Sequence, residues 1–75
     1  MEKKYYENRR HLVENIKYYR KFRHYTQEQL ANQIGIHRTH ISKIETFHTG
    51  VTLDLLFALA EALQVPPYKL LEPRK

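Results

Sequence analysis

The segment from Thr26 to Thr46 constrains this chain more than any other, because it reads as two short helices joined by a sharp turn. Thr26-Gln27-Glu28-Gln29 has the form of a capping box. The threonine hydroxyl can accept from the backbone N–H of Gln29, while the Gln29 side chain reaches back to the N–H of Thr26. The helix that opens there runs to about Ile34, and Gly35 stops it because glycine takes the left-handed conformation without steric cost. A further helix follows over roughly His37 to Thr46, with Ile41 and Ile44 inward. Two helices that cross steeply after a turn of about 3–4 residues meet at one point, where only a side chain as small as Ala31 fits. Ile34, Ile36, Ile41 and Ile44 close the wedge between them, and Leu30 faces the helix before.

The rest of the chain frames this unit. Residues 1–8 are polar and charged and read as a flexible or frayed arm. From about Arg9 to His24, Leu12, Ile16, Tyr19 and Phe22 or Arg23 recur at helical spacing. Thr52 is a good N-cap for a helix from Leu53 to Leu63, and Asp54 in its first turn complements the helix dipole. Its inward stripe is expected to be Leu53, Leu56, Phe57, Ala60 and Leu63. Pro66-Pro67 ends that helix, and Pro67 suits the first position of a short fifth helix carrying Leu70 and Leu71. Residues 73–75 are a tail. The expected fold is all-α, a compact five-helix bundle over residues 9–72, an economical core for a chain of 75 residues.

Composition narrows the function classes. The net charge is +5, and Lys3, Lys4, Arg9, Arg10, Lys17, Arg20, Lys21 and Arg23 all lie in the first third. Such one-sided charge favours a polyanion, although a basic helix that only aids solubility has the same composition. There is no cysteine, so disulfides and Cys-based zinc sites are excluded. His37 and His40 have i, i+3 spacing but no cysteine or acid to complete a set, so no metal is expected, and no cofactor or small-molecule ligand. No nucleophile–base pair, acidic metal cluster or phosphate-cradling glycine loop is present, so an enzyme is not expected. No apolar run approaches the ~18 residues of a membrane span, and the first residues lack the apolar stretch of a secretory signal. A cytoplasmic protein is expected.

The outward face of the third helix is the most informative surface. His37, Arg38, Thr39 and Lys43 are donor-rich and include no acid, whereas a face built only for solubility usually mixes signs. A helix laid in the major groove of DNA needs donors for guanine O6/N7 and a methyl or hydroxyl contact for thymine. Arg38 is expected to read a base by a bidentate contact, with Thr39, Lys43 and His37 beside it. Gln27, His40 and Ser42 are candidates for phosphate, as are Lys17, Lys21 and Arg23 on the first helix. A phosphate near His37 would favour its imidazolium, so binding is expected to strengthen as pH falls from about 8 to about 6.

These motifs in register resemble the Cro/cI-type (XRE-family) helix-turn-helix proteins, with their lambda-repressor-like domain. Ile16-Lys17-Tyr18-Tyr19-Arg20 resembles the family's I-x-x-L-R, with Tyr19 for the leucine. Thr26-Gln27-Glu28-Gln29-Leu30-Ala31 matches S/T-Q-x-x-L-A, Ile41-Ser42-Lys43-Ile44-Glu45 matches I-S-x-I/L-E, and the helix ending at Leu63 matches A-x-x-L. The resemblance covers roughly residues 12 to 71. It implies a sequence-specific regulator of transcription that binds double-stranded DNA, as a homodimer on a palindromic operator. It also implies that Gln27 holds a phosphate and that Arg20 pairs with Glu45 to lock the recognition helix to the scaffold. Gly35 through Ser42 is similar to the recognition segment of restriction-modification controller proteins; a phage-type repressor or an antitoxin-type autoregulator fits almost as well. The alternative class is a protein-interaction module that does not bind DNA.

Two places depart from the family pattern. After Glu45 the family has Asn-Gly followed by basic residues and proline, whereas this chain has Thr46-Phe47-His48-Thr49-Gly50-Val51. Phe47 would be strained in the left-handed conformation that glycine takes freely. The fourth helix carries more apolar surface than a one-sided helix needs. A two-fold dimer contact through Leu55, Ala58, Leu59 and part of Phe47 is therefore expected, setting two recognition helices ~34 Å apart; the alternative is a broad core stripe with Leu59 inside.

Overall fold

The computed structural model describes residues 3–74, so the ends of the expected arm and tail, residues 1–2 and 75, lie outside it. Four α-helices are present: α1 (Tyr6–Phe22), α2 (Gln27–Ile34), α3 (Arg38–Glu45) and α4 (Leu53–Leu63), with short 3-10 turns at Lys3–Tyr5 and Pro67–Leu70. The expected fifth helix is thus a single 3-10 turn. Lys69 and Leu71 donate to the carbonyls three residues back, Pro66 and Tyr68, at 3.0 Å each. With Pro66 before it and Pro67 as its first residue, the segment is too short to set up the i→i+4 ladder of an α-helix. At the other end α1 begins at Tyr6, earlier than the sequence suggested, and Arg10 bridges Glu7 and Glu14 along that first stretch.

The starts of α2 and α4 are chemically explicit. Thr26 accepts from Gln29 N–H at 3.0 Å while Gln29 accepts from Thr26 N–H at 2.8 Å, the complete capping box. The Thr52 hydroxyl accepts from Leu55 N–H at 3.1 Å. The helix ends are less orthodox. Each α-helix is closed by a residue in the left-handed region: His24 (φ 61°), Gly35 (φ 77°), Phe47 (φ 67°) and Gln64 (φ 61°). Beyond each one, a backbone N–H folds back to satisfy a carbonyl of the last turn: Tyr25 to Arg20, Ile36 to Ala31, His48 to Lys43 and Val65 to Ala60, at 2.8–3.0 Å. Three of the four are not glycine and carry the strain that Cβ brings in this region.

The core is drawn from every helix. Ile16, Leu30, Ala31, Ile41, Ile44, Leu56, Leu59, Ala60, Leu63 and Leu70 form one buried cluster, with Leu12, Tyr19, Tyr25, Ile34 and Ile36 packed on its margin. Burying one such leucine or isoleucine fully is worth about 1.5–3 kcal/mol. At the ambiguous position on α1 it is Arg23 that turns toward the fold, while Phe22 is 61% exposed. Asn15 is a buried polar residue that periodicity does not reveal. Its Nδ2 donates to the Leu70 carbonyl at 3.0 Å and the Glu72 carbonyl at 2.7 Å, tying the closing turn to α1.

The expected stripe on α4 needs correction. The inward residues are Leu56, Leu59, Ala60 and Leu63, whereas Leu53 and Phe57 are 68% and 51% exposed. Small Ala58 and Ala62 flank the cleft shared with Tyr25 and Ile34, so α4 leans on α2 with that edge. The opposite edge, bearing Leu53 and Phe57, is left uncovered. Leu59, expected at a dimer contact, is fully buried within the protomer and cannot be part of one.

Candidate nucleic-acid interface

The interface begins with what holds α3 in place. Arg20 on α1 makes a two-pronged pair with Glu45 at the end of α3, Nε–Oε2 2.8 Å and Nη2–Oε1 3.1 Å. Its third nitrogen, Nη1, donates to the Tyr25 carbonyl at 2.9 Å. Gln27 Nε2 donates to Glu45 Oε1 at 3.0 Å, so α1, α2 and α3 meet in one polar network. The side chains of Arg20 and Glu45 are only 11% and 4% exposed. A pair this deep fixes geometry because either charge left alone would be costly. Gln27 spends one amide hydrogen on this network and keeps the other.

With α3 anchored, its outer face is free. His37 is the N-cap, extended at φ −78° and ψ 147°, and its side chain caps nothing. Arg38 and Thr39 follow in the first turn, and Lys43 lies one turn beyond Thr39; all three are exposed. His40 and Ser42 are half-buried. Two adjoining clefts run along this face. One is lined by Glu28, Asn32, Gly35, Ile36, His37, Arg38 and Thr39, the other by His37, Thr39, His40, Lys43 and Thr49. Glu28 is an acid that sequence reading did not place here, because it comes from α2 across the turn.

The first-helix cations separate. Lys17 is half-buried and Lys21 is exposed. Arg23 is turned away from the role expected of it: its Nε donates to the Leu63 carbonyl at 3.0 Å and its Nη2 to Gln64 at 3.4 Å. There it complements the negative end of α4. The sequence pattern offered no sign of this, since the contact spans α1 and the end of α4.

The loop after α3 is held from outside. Phe47 stacks on Tyr6 with ring centroids 5.4 Å apart, and the Arg9 guanidinium lies 5.8 Å from the Phe47 ring. Arg9 Nη2 also donates to the Thr49 carbonyl at 3.3 Å. Phe47 is half-buried in this stack, which leaves less of its ring for the contact with a second chain expected of it. Among the described residues, no group of histidines and acids is arranged to hold a metal ion, and no helix is long and apolar enough to cross a membrane.

Comparison with known proteins gives this geometry a context. Residues 16–70 match the helix-turn-helix family. The chain is 45% identical over 60 residues to control protein C.SmaI of Serratia marcescens, covering 80% of this chain and 71% of that protein. It is 43% identical over 47 residues to control protein C.BamHI of Bacillus amyloliquefaciens, covering 63% of this chain and 58% of that one. The crystal structure of a hypothetical transcription factor from Neisseria superposes with a TM-score of 0.84 at 35% identity, over 88% of this chain and 76% of that one. The restriction-modification controller protein C.AhdI from Aeromonas hydrophila superposes with a TM-score of 0.81 at 26% identity, over 88% of this chain and 96% of that one.

Proposed function

This chain belongs to the helix-turn-helix family of DNA-binding transcription regulators, and we propose that within it the protein acts as a homodimer on a two-fold symmetric operator. The observation that carries the proposal is the free outer face of α3, with Arg38, Thr39 and Lys43 exposed on a helix locked at its far end by Arg20 and Glu45. Arg38 reads a guanine and Thr39 a neighbouring base edge, while Lys43 and His37, expected at bases, line one cleft with His40 and reach the adjoining phosphate. Gln27, His40, Ser42, Lys17 and Lys21 engage phosphates on either side. Arg23, committed to the end of α4, is not among them.

The dimer is argued from size and from the uncovered edge of α4. A protomer 32 Å in its longest dimension, with one recognition helix, cannot by itself read two major grooves ~34 Å apart. Leu53 and Phe57 are the large apolar side chains α4 leaves in water, and a two-fold contact would cover both copies at once. The face therefore differs from the one expected from sequence, since Leu59 lies in the core and Ala58 on the edge toward α2. Because C.AhdI is named as a restriction-modification controller protein and two further relatives as control proteins, control of restriction-modification genes is the proposed biological role.

Selection of bound sites from random DNA tests this directly. Recovery of a palindromic site, with binding weakened and one base position relaxed in Arg38→Ala by about 1–3 kcal/mol, is the expected result. Sedimentation should show a dimer that Phe57→Lys dissociates. A non-palindromic site bound by a monomer would overturn the dimer, and unaltered selectivity in Arg38→Ala would overturn the assigned base contact.

A further inference from the structure

The second cleft on the α3 face has an uncommon lining. One ammonium (Lys43), two imidazoles (His37, His40) and two hydroxyls (Thr39, Thr49) surround about 420 Å³, and no carboxylate is among them. Each of these side chains donates hydrogen bonds or gains a donor on protonation. The ligand that suits such a set is an anion with several acceptor oxygens. On a protein that lays this helix on DNA, that anion is a backbone phosphodiester.

The loop side of the cleft is fixed rather than floppy. The stack of Phe47 on Tyr6 and the bond from Arg9 to the Thr49 carbonyl hold it against the start of α1. The loop brings a third imidazole, that of His48, and the His48 backbone N–H donates to the Lys43 carbonyl at 2.8 Å. Its Nδ1 lies 2.7 Å from Thr46 Oγ1, and that hydroxyl gives its one hydrogen to the Ser42 carbonyl at 2.8 Å.

We infer that the cleft between α3 and the 46–50 loop seats one DNA phosphodiester, and that seating it takes up protons on His37 and His40, so the protein holds DNA more tightly as pH falls. The inference rests on the DNA-binding reading above. A phosphodiester keeps its charge from pH 6 to 8, so the imidazoles are the groups that change. The phosphate favours their charged form in the complex. The added affinity is fully present below the free-protein pKa and is lost as pH rises through the higher pKa of the complex.

Other charged groups stand near these imidazoles. Arg38 and Lys43 face them from α3, Arg9 approaches from α1 at the Thr49 carbonyl, and His48 comes from the loop. Glu28 on α2 lines the adjoining cleft with His37.

Fluorescence anisotropy with two labelled duplexes tests the inference: the site recovered by selection and a mixed-sequence duplex of about two helical turns. At constant chloride, affinity for both should rise about tenfold for each imidazole engaged between about pH 8 and pH 6. His37→Gln/His40→Gln, shown folded by circular dichroism, should flatten the profile to within about twofold. His24→Gln should leave it unchanged, and Arg38→Ala should lose preference between the duplexes while keeping the slope. A flat profile in the parent protein, or a slope that survives in the double variant, overturns the inference and leaves DNA binding intact. No binding to either duplex at any pH overturns both.

Discussion

The two ends of α3 are closed on opposite principles. Before it, the turn from α2 uses Gly35 at φ 77°, where a Cβ would meet no atom within 4 Å. The position demands glycine for backbone reasons alone. After it, the equivalent left-handed position is Phe47 at φ 67°, a conformation a phenylalanine adopts only at a cost. That cost is offset by contacts from elsewhere in the chain: Tyr6 on the ring, Arg9 beside it, and the folded-back bonds of Phe47 to Ile44 and His48 to Lys43. One end is thus set by residue type, the other by tertiary contact. The difference teaches that a helix can be stopped by a residue that disfavours the stop, provided the surroundings hold it there.

Breaking the far end should have the largest effect. Glu45→Ala strands the Arg20 guanidinium in a nearly closed site and removes the partner of Gln27, so urea denaturation should show a loss of about 3–5 kcal/mol. A loss under about 1 kcal/mol would mean that the network contributes little to holding α3. Phe47→Ala comes next. It keeps the backbone strain while removing the stack, and should cost about 1–2 kcal/mol; thermal unfolding with Tyr6→Ala in a double-mutant cycle would show whether the two rings act together.

Gly35→Ala tests the other end in isolation. With open space around the added methyl group, the whole penalty comes from φ, and about 1 kcal/mol is expected. A much larger loss would point to a steric role that the open surroundings do not contain. Smallest and of opposite sign is Gln64→Gly, which relieves the same strain at the end of α4 and should stabilise by at most about 1 kcal/mol. Phe47→Gly should fall between, recovering part of what Phe47→Ala loses. If instead it matches the parent in stability, backbone strain and stacking at Phe47 balance.

The two ends also differ in how far they could be read in advance. The capping box at Thr26, the stop at Gly35 and the wedge of Ala31, Ile41 and Ile44 follow from local chemistry and helical spacing, and the fold contains each of them. The outward set Arg38, Thr39 and Lys43 was legible for the same reason: residues three or four apart share a helix face. What failed depended on neighbours. The inward face of α4 was misjudged because an almost wholly apolar helix gives no preferred side until α2 takes one edge and leaves Leu53 and Phe57 bare. Arg23 looked like a phosphate contact until the end of α4 was seen to claim it.

By itself, then, the sequence determined the all-α class, the starts of α2 and α4, the turn before α3 and the residues presented on the outer face of α3, because these are short-range consequences of side-chain shape and hydrogen-bonding capacity. Only the tertiary structure decided that Phe47 closes α3, that Asn15 ties down the last turn, that Leu59 belongs to the core, and that Glu28 borders the donor face. In each of these cases the deciding partner lies on a different element of the fold, and one-dimensional spacing carries no record of it.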